Sequence, residues 1–173
     1  LSAAVKEGTL TATTDPEAVA DHRYVALTVN APRNEMSELL DVIREYAPYF
    51  SDEHVLINRV TVPVDMIGRM RDTVEKHSAR NPTFVVFPER LAEGQAIEEI
   101  ETLPKVVGVE GESGREAMQN LLEPFGTGIE FTDPETSMFV KLIDNSYRDA
   151  LFAISNQIAY TADQLKLDAH EAI

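Results

Sequence analysis

Val55-Leu56-Ile57-Asn58-Arg59-Val60-Thr61-Val62-Pro63 leads into an amphipathic run from Asp65 to His77, and then into Thr83-Phe84-Val85-Val86-Phe87. The two outer segments are short, apolar and rich in β-branched residues, as strands buried on both faces are. Between them Met66, Ile67, Met70 and Val74 recur at helical spacing, so one helix face turns inward. A strand, a helix and a strand over such a span form a parallel crossover. Upstream the pattern repeats. Tyr24-Val25-Ala26-Leu27-Thr28-Val29 reads as a strand, and Met36, Leu39, Leu40, Ile43 and Ala47 mark a helix from Glu35 to Ala47. The expected fold class is therefore α/β, built on a sheet with parallel crossovers.

Downstream the pattern loosens. Pro88 to Leu103 reads as a loop with a short helix near Ile97 to Ile100. Lys105 to Glu110 reads as a strand, Gly114 to Leu122 as a helix and Gly128 to Phe131 as a last short strand. Asp133 then offers an N-cap, Pro134 fits the first helical position and Glu135 suits the positive end of the helix dipole. From there to Leu167 no further Pro and no Gly occurs, while Met138, Leu142, Tyr147, Leu151, Ile154, Ile158, Ala162 and Leu165 are apolar. So long a helix exceeds what a small sheet can cover. Its stripe is expected to pack on a second copy of the chain, giving a homodimer, or on a further domain.

Of the 173 residues 30 are acidic and 15 basic, five of the latter lysine, for a formal net charge of −15. Such a surface repels nucleic-acid phosphates and anionic lipid, so neither nucleic acid nor a membrane is expected as a partner. It suits an acidic cytosolic protein and equally one from a high-salt cytoplasm. No apolar run approaches the ~18 residues of a membrane span. The start, Leu1-Ser2-Ala3-Ala4-Val5-Lys6, lacks the zones of a signal peptide, and a cytoplasmic location is expected. It reads like the middle of something, so the chain is expected to be a piece of a longer protein. Cysteine is absent, which removes disulfides and thiolate nucleophiles from this chain. His22, His54, His77 and His170 have no metal-ligand spacing, and no metal site is expected.

Gly108-Val109-Glu110-Gly111-Glu112-Ser113-Gly114 is not spaced as G-x-G-x-x-G, and its two acids would face a diphosphate. An ordinary turn into a helix is the better reading. Two other segments carry more. Pro88-Glu89-Arg90-Leu91-Ala92-Glu93-Gly94 follows the strand Thr83–Phe87, and Lys141-Leu142-Ile143-Asp144-Asn145 opens the long helix. Lys141 and Asn145, four apart, share a helix face. Carboxylates at the C-terminal end of an inner strand stand where open α/β sheets bind ligands. Taken alone, Glu89 and Glu93 also read as solvated loop acids, Lys141 and Asn145 as exposed helix residues and Thr61 as a turn residue. Taken together, they outline a shared cleft for an oxygen-rich, partly anionic substrate.

In this order the segments resemble the UDP-glucose/GDP-mannose dehydrogenase family. Thr11-Ala12-Thr13-Thr14-Asp15-Pro16 is similar to the stretch before the fourth strand of its nucleotide-binding domain. Val29-Asn30-Ala31-Pro32 is similar to its loop beside the NAD ribose and nicotinamide. Val60-Thr61-Val62-Pro63 resembles its S-T-V-P, Pro88 to Gly94 its S-P-E-x-x-x-x-G, and Lys141 to Asn145 its K-L-x-x-N. Asn145-Ser146-Tyr147-Arg148-Asp149 leans toward the N-acetylmannosamine branch.

The resemblance implies that residues 1–131 are the second half of a Rossmann-type NAD-binding domain. Residues 132–173 then begin a central helix that builds a dimer. It implies oxidation of the C6 hydroxymethyl of a UDP- or GDP-linked sugar to a uronic acid with two NAD, through a thiohemiacetal and a thioester on a cysteine, serving polysaccharide synthesis. By the same resemblance Thr61, Glu89, Lys141 and Asn145 are catalytic. Glu89, Arg90, Leu91, Ala92, Glu93, Lys141, Asn145 and Arg148 contact substrate, and Val29, Asn30, Ala31, Pro32, Thr61 and Glu93 contact the cofactor. The physics agrees for two of these: a fixed ammonium suits a developing oxyanion, and a carboxylate suits proton transfer with water.

Departures accompany the match. The Gly-rich first turn, the cysteine and the domain for the nucleotide end of the sugar are missing. Val64-Asp65 replaces Pro-Gly after the threonine motif, Phe87 stands where serine is usual, and Arg33 stands where a smaller residue is common. These 173 residues alone are expected neither to bind NAD well nor to turn over. Two alternatives remain: a non-catalytic dimerisation or regulatory relative, and a β-hydroxyacid dehydrogenase of the 6-phosphogluconate type, which also uses a helical K-x-x-x-N but lacks the Pro88–Gly94 loop.

Overall fold

The computed structural model describes residues 2–29, 36–91, 94–126 and 128–172. Strands β1 (Tyr24–Leu27), β2 (Val55–Asn58), β3 (Thr83–Val86), β4 (Lys105–Val109) and β5 (Ile129–Thr132) form one five-stranded sheet in chain order. The helices are α1 (Ser2–Lys6), α2 (Met36–Tyr46), α3 (Val64–His77), α4 (Ala96–Thr102), α5 (Glu112–Leu122), α6 (Pro134–Leu165) and α7 (Ala169–Ala172). The α/β class and the long last helix are those the sequence predicts. α6 stops at Leu165 rather than Leu167 because Lys166 takes the left-handed conformation, φ 56°, and its N–H closes the last turn.

Alternate residues of each strand feed two cores. Leu27, Leu56 and Val86 face α2, α3 and the start of α6, where Leu39, Ile43, Met66, Ile67, Met70 and Met138 are buried. Ile57, Val85, Val107 and Val109 face the other way, onto Ala117, Met118 and Leu122 of α5. His54 belongs to the scaffold. Its Nδ1 accepts from the Ser51 N–H at 2.8 Å, and its Nε2 lies 3.0 Å from the Val19 carbonyl, so the ring is satisfied at both nitrogens.

β1, β2 and β3 are parallel, with Leu27 beside Asn58 and Asn58 beside Val86. The expected run of parallel crossovers is broken at β4, which is antiparallel to β3: Val85 pairs with Val109 and Val86 with Gly108. The cause lies in α4. It has seven residues and buries none of them, so it does not carry the chain back along a sheet face. The chain re-enters the sheet at the end it has just left. β5 is parallel to β4, and α6 turns back from it with its first turn packed on Gly108, which pairs with Val86 at the C-terminal end of β3.

The seating of α6 is specific. Beyond the short β3–β4 pairing, the carbonyls of Val86 and Val106 share one donor, the buried Ser137 hydroxyl, at 3.0 and 3.2 Å. Those backbone acceptors are thereby satisfied away from water. Arg71 on α3 bridges Glu110 after β4 and Glu135 on α6, at 3.1 and 2.9 Å. Asp133 caps the helix, accepting from the Thr136 N–H at 2.8 Å. That bonding holds its carboxyl below the usual 3.8. Asp133→Ala is expected to cost about 1 kcal/mol in chemical denaturation at neutral pH. The cap contributes fully above the ordinary value of 3.8 and is lost as pH falls through the lower folded value. The wild-type advantage over Asp133→Ala should therefore vanish in strong acid.

Candidate active site

Asn58, fully buried at the end of β2, turns the chain by bonding its own loop. Its side chain accepts from the Val60 N–H at 3.0 Å and donates to the Val60 carbonyl at 3.1 Å. The exposed Thr61 follows at this end of the sheet. Beside it, β3 gives way to Phe87, Pro88 and Glu89. The Phe87 N–H donates to the Asn58 carbonyl at 2.9 Å, so the segments after β2 and β3 stay in register. The Glu89 carboxylate is held at both oxygens, by Arg59 at 2.5 Å and by the Leu91 N–H at 2.7 Å. Gly94, closing the loop, has φ +83°, a conformation glycine adopts without strain.

α6 arrives at the same loop. Arg90 Nε donates to Asp144 Oδ2 at 2.7 Å, and Arg90 Nη1 donates to the Pro104 carbonyl at 3.2 Å. The helix and the β3 loop are thus locked together. One turn earlier on α6, Lys141 is 8% exposed, and among the described residues it makes no ion pair or hydrogen bond. Burial pushes its ammonium below the usual lysine value and Arg148 adds to this, while Glu89 and Asp144 pull the other way. All these groups are therefore within electrostatic reach of one another. Asn145, exposed, accepts from Arg148 at 3.0 Å.

Of the residues named from sequence, the structure joins Glu89, Arg90, Lys141, Asn145 and Arg148 in one constellation, with Leu91 in the same loop and Thr61 at the neighbouring strand end. Val29 lies just past β1. Asn30, Ala31, Pro32, Ala92 and Glu93 fall outside the described residues. A hollow of about 260 Å³ runs along the loop, lined by Arg59, Phe87, Glu89, Leu91 and Phe125 among others. Lys141 is not part of its wall, so helix and loop meet through the Arg90–Asp144 pair rather than across that hollow. Arg59 is not among the residues the sequence singles out, and Asp144 appears there only within the polar face of the long helix. The missed signal for Arg59 is register: with β2 and β3 parallel and Asn58 beside Val86, Arg59 must flank Phe87.

The charges here contrast with the rest of the chain. Among the described residues Arg59, Arg90, Lys141 and Arg148 stand with Glu89 and Asp144, a cationic excess on a chain of net charge −15. Such an island concentrates an anionic ligand that the remaining surface repels.

Comparisons with known proteins bear on the family and the fold. Residues 1–126 match the sequence profile of the UDP-glucose/GDP-mannose dehydrogenase family, NAD binding domain. The chain belongs to that family. It is 24% identical to the UDP-N-acetyl-D-mannosamine dehydrogenase of Methanococcus aeolicus, over all of this chain and 41% of that protein. It is 30% identical to the enzyme of the same name from Methanocaldococcus jannaschii, over 80% of this chain and 32% of that protein. The fold matches a GDP-mannose dehydrogenase from Pseudomonas aeruginosa with a TM-score of 0.87 at 21% identity, covering 96% of this chain and 42% of the other. The chain thus spans less than half the length of these relatives.

Proposed function

We propose that this chain carries the proton-transfer and oxyanion-stabilising part of an NAD-dependent nucleotide-sugar 6-dehydrogenase, which converts a UDP- or GDP-linked sugar to its uronic acid. The observation that carries this reading is the Arg90–Asp144 contact at 2.7 Å, which holds the buried ammonium of Lys141 within reach of the carboxylate-bearing loop. Residues 1–131 are the second half of the NAD-binding domain. Residues 132–173 begin the helix of a homodimer, and a cytoplasmic setting goes with this reading. The relatives named for UDP-N-acetyl-D-mannosamine favour an N-acetylated sugar.

The roles are those the resemblance implies, and the chemistry of the residues is consistent with them. Lys141, desolvated and without a fixed partner among the described residues, stabilises an alkoxide or tetrahedral oxyanion at the sugar C6, and Asn145 adds a neutral donor. Glu89, fixed at both oxygens, takes a proton from water when the acyl-level carbon is hydrolysed. Thr61 holds that water or a substrate oxygen. Arg90 and Arg148 bring positive charge to the substrate, and Leu91, Ala92 and Glu93 contact it by the same resemblance. For NAD, the ends of β1 and β2 offer Val29 and the exposed Thr61, small uncharged groups that fit ribose and nicotinamide. Asn30, Ala31, Pro32 and Glu93 join them in this role. The 173 residues contain no G-x-G-x-x-G, so the diphosphate has no cradle among them. NAD, when bound, accepts hydride from the sugar carbon.

The full-length protein should be assayed with NAD and a panel of UDP- and GDP-sugars, following NADH absorbance. The expected result is two NADH formed per sugar consumed. No NADH with any member of the panel, or one per sugar with the aldehyde released, overturns the proposal.

A further inference from the structure

We infer that Arg59, braced by the ring of Phe87, is the positioning residue that fixes the Glu89 carboxylate and keeps it from pairing with Lys141. The inference rests on the role given to Glu89 above. Arg59 is restrained three ways. Its Nη1 donates to the Phe87 carbonyl at 2.9 Å, its Nη2 meets Glu89 Oε2 at 2.5 Å, and its guanidinium carbon lies 4.4 Å from the Phe87 ring centroid. A planar fork tied at both nitrogens and stacked on a ring presents one fixed edge to a carboxylate. The other Glu89 oxygen accepts from the Leu91 N–H, so neither oxygen is free to swing.

The clamp has a chemical consequence. Glu89 acts on the Lys141 charge, yet among the described residues the two form no ion pair. An ammonium paired with Glu89 would be lost to the oxyanion. By holding Glu89 from the β2 side, Arg59 leaves the Lys141 ammonium for the oxyanion, while each carboxylate oxygen keeps a second lone pair for water. Phe87 then acquires a physical role. The resembling family usually carries serine at this position, and serine would keep the carbonyl acceptor but remove the stacking face.

The test is a double-mutant cycle in the full-length protein. Glu89→Gln is expected to lower kcat about 100-fold. Arg59→Met should lower kcat about 20-fold with KM changed less than about twofold, and should lower it no more than about twofold further in the Glu89→Gln background. Arg59→Lys should recover part of the loss, because an ammonium still pairs with Glu89 but cannot also hold the Phe87 carbonyl. Phe87→Ser should fall between wild type and Arg59→Met. No loss in Arg59→Met, or equal losses in both backgrounds, overturns the inference. A Glu89→Gln variant with full activity overturns the role of Glu89 instead. The clamp itself is read without turnover: with ¹⁵N-leucine labelling, the Leu91 amide resonance of Arg59→Met should move toward its position in Glu89→Ala. An unmoved Leu91 resonance sinks the clamp whatever the kinetics show.

Discussion

Lys141→Met in the full-length protein is expected to lower kcat by about a thousandfold while leaving the KM for the sugar within a few-fold. This is the upper range for removing one oxyanion donor from a water-poor site. The same substitution should make the fold more stable. The ammonium is buried and its folded pKa is lowered, chiefly by desolvation, so at neutral pH the charged form costs folding free energy. Methionine has similar length and no charge to desolvate, and a gain of roughly 1 kcal/mol is expected. The pH dependence separates this from generic repacking. Below the lowered folded value, lysine is protonated in both folded and unfolded states and the penalty is complete. Between that value and the ordinary 10.5 the unfolded chain binds more protons, so wild-type stability rises with pH. Above 10.5 the penalty is gone. Lys141→Met should lack this alkaline rise in urea titrations. Activity runs the other way in wild type, falling as pH climbs through the lowered value and the ammonium is lost. A Lys141→Met protein with wild-type kcat would remove the lysine from the chemistry.

The second large effect is on folding. Gly108 sits where α6 crosses β4. A Cβ there would lie 2.6 Å from Pro134 Cα, 2.7 Å from Ser137 Cβ and 2.8 Å from the Asp133 carbonyl oxygen. Two of these are backbone atoms, which no rotamer change can move aside. Gly108→Ala is therefore expected to destabilise by about 3 kcal/mol, a drop of roughly 6–12 °C in Tm for a chain of this size. Gly68 on α3 is the internal control. Nothing lies within 4 Å of its built Cβ and its φ is not positive, so Gly68→Ala should stabilise by about 0.5–1 kcal/mol through helix propensity. Thermal and denaturant melts of the two variants check both signs. A Gly108→Ala melt within about 2 °C of wild type would mean that α6 is not seated on β4 as described.

Much of the fold is legible in the sequence because periodicity survives burial. The alternate residues of β1, β2 and β3 and the inward stripes of α2 and α3 sit where their spacing predicts. What escaped was what depends on neighbours distant in sequence. The reversal of β4 follows from a helix too short and too exposed to carry a crossover, and no local pattern records direction. The 3-10 helix Pro16–Asp21 is capped by a bond from the Glu17 N–H to Asp15 at 3.0 Å, with no apolar period to announce it. For the site, the resemblance points to Glu89, Lys141 and Asn145, whose spacing alone reads equally well as solvated surface. It did not foresee that Lys141 would be buried or that Arg90 would bond Asp144. Nor did it find Arg59, whose part depends on strand register rather than on a motif.

The reversal of β4 fixes where mechanical error enters the site. α6 is anchored near Ser137, against the last residue of β3, and from there runs past the loop after β3. At 1.5 Å per residue, Asn145 stands about 12 Å along the rod from that anchor, so a tilt of roughly 5° displaces it by about 1 Å. Misplacement on that scale can cost a reaction about a hundredfold. The Arg90–Asp144 contact, near the outer end of that arm, is where such a tilt is resisted with the greatest leverage. A load applied to the exposed length of the helix would reach the chemistry as rotation about a hinge point rather than through any movement of the sheet.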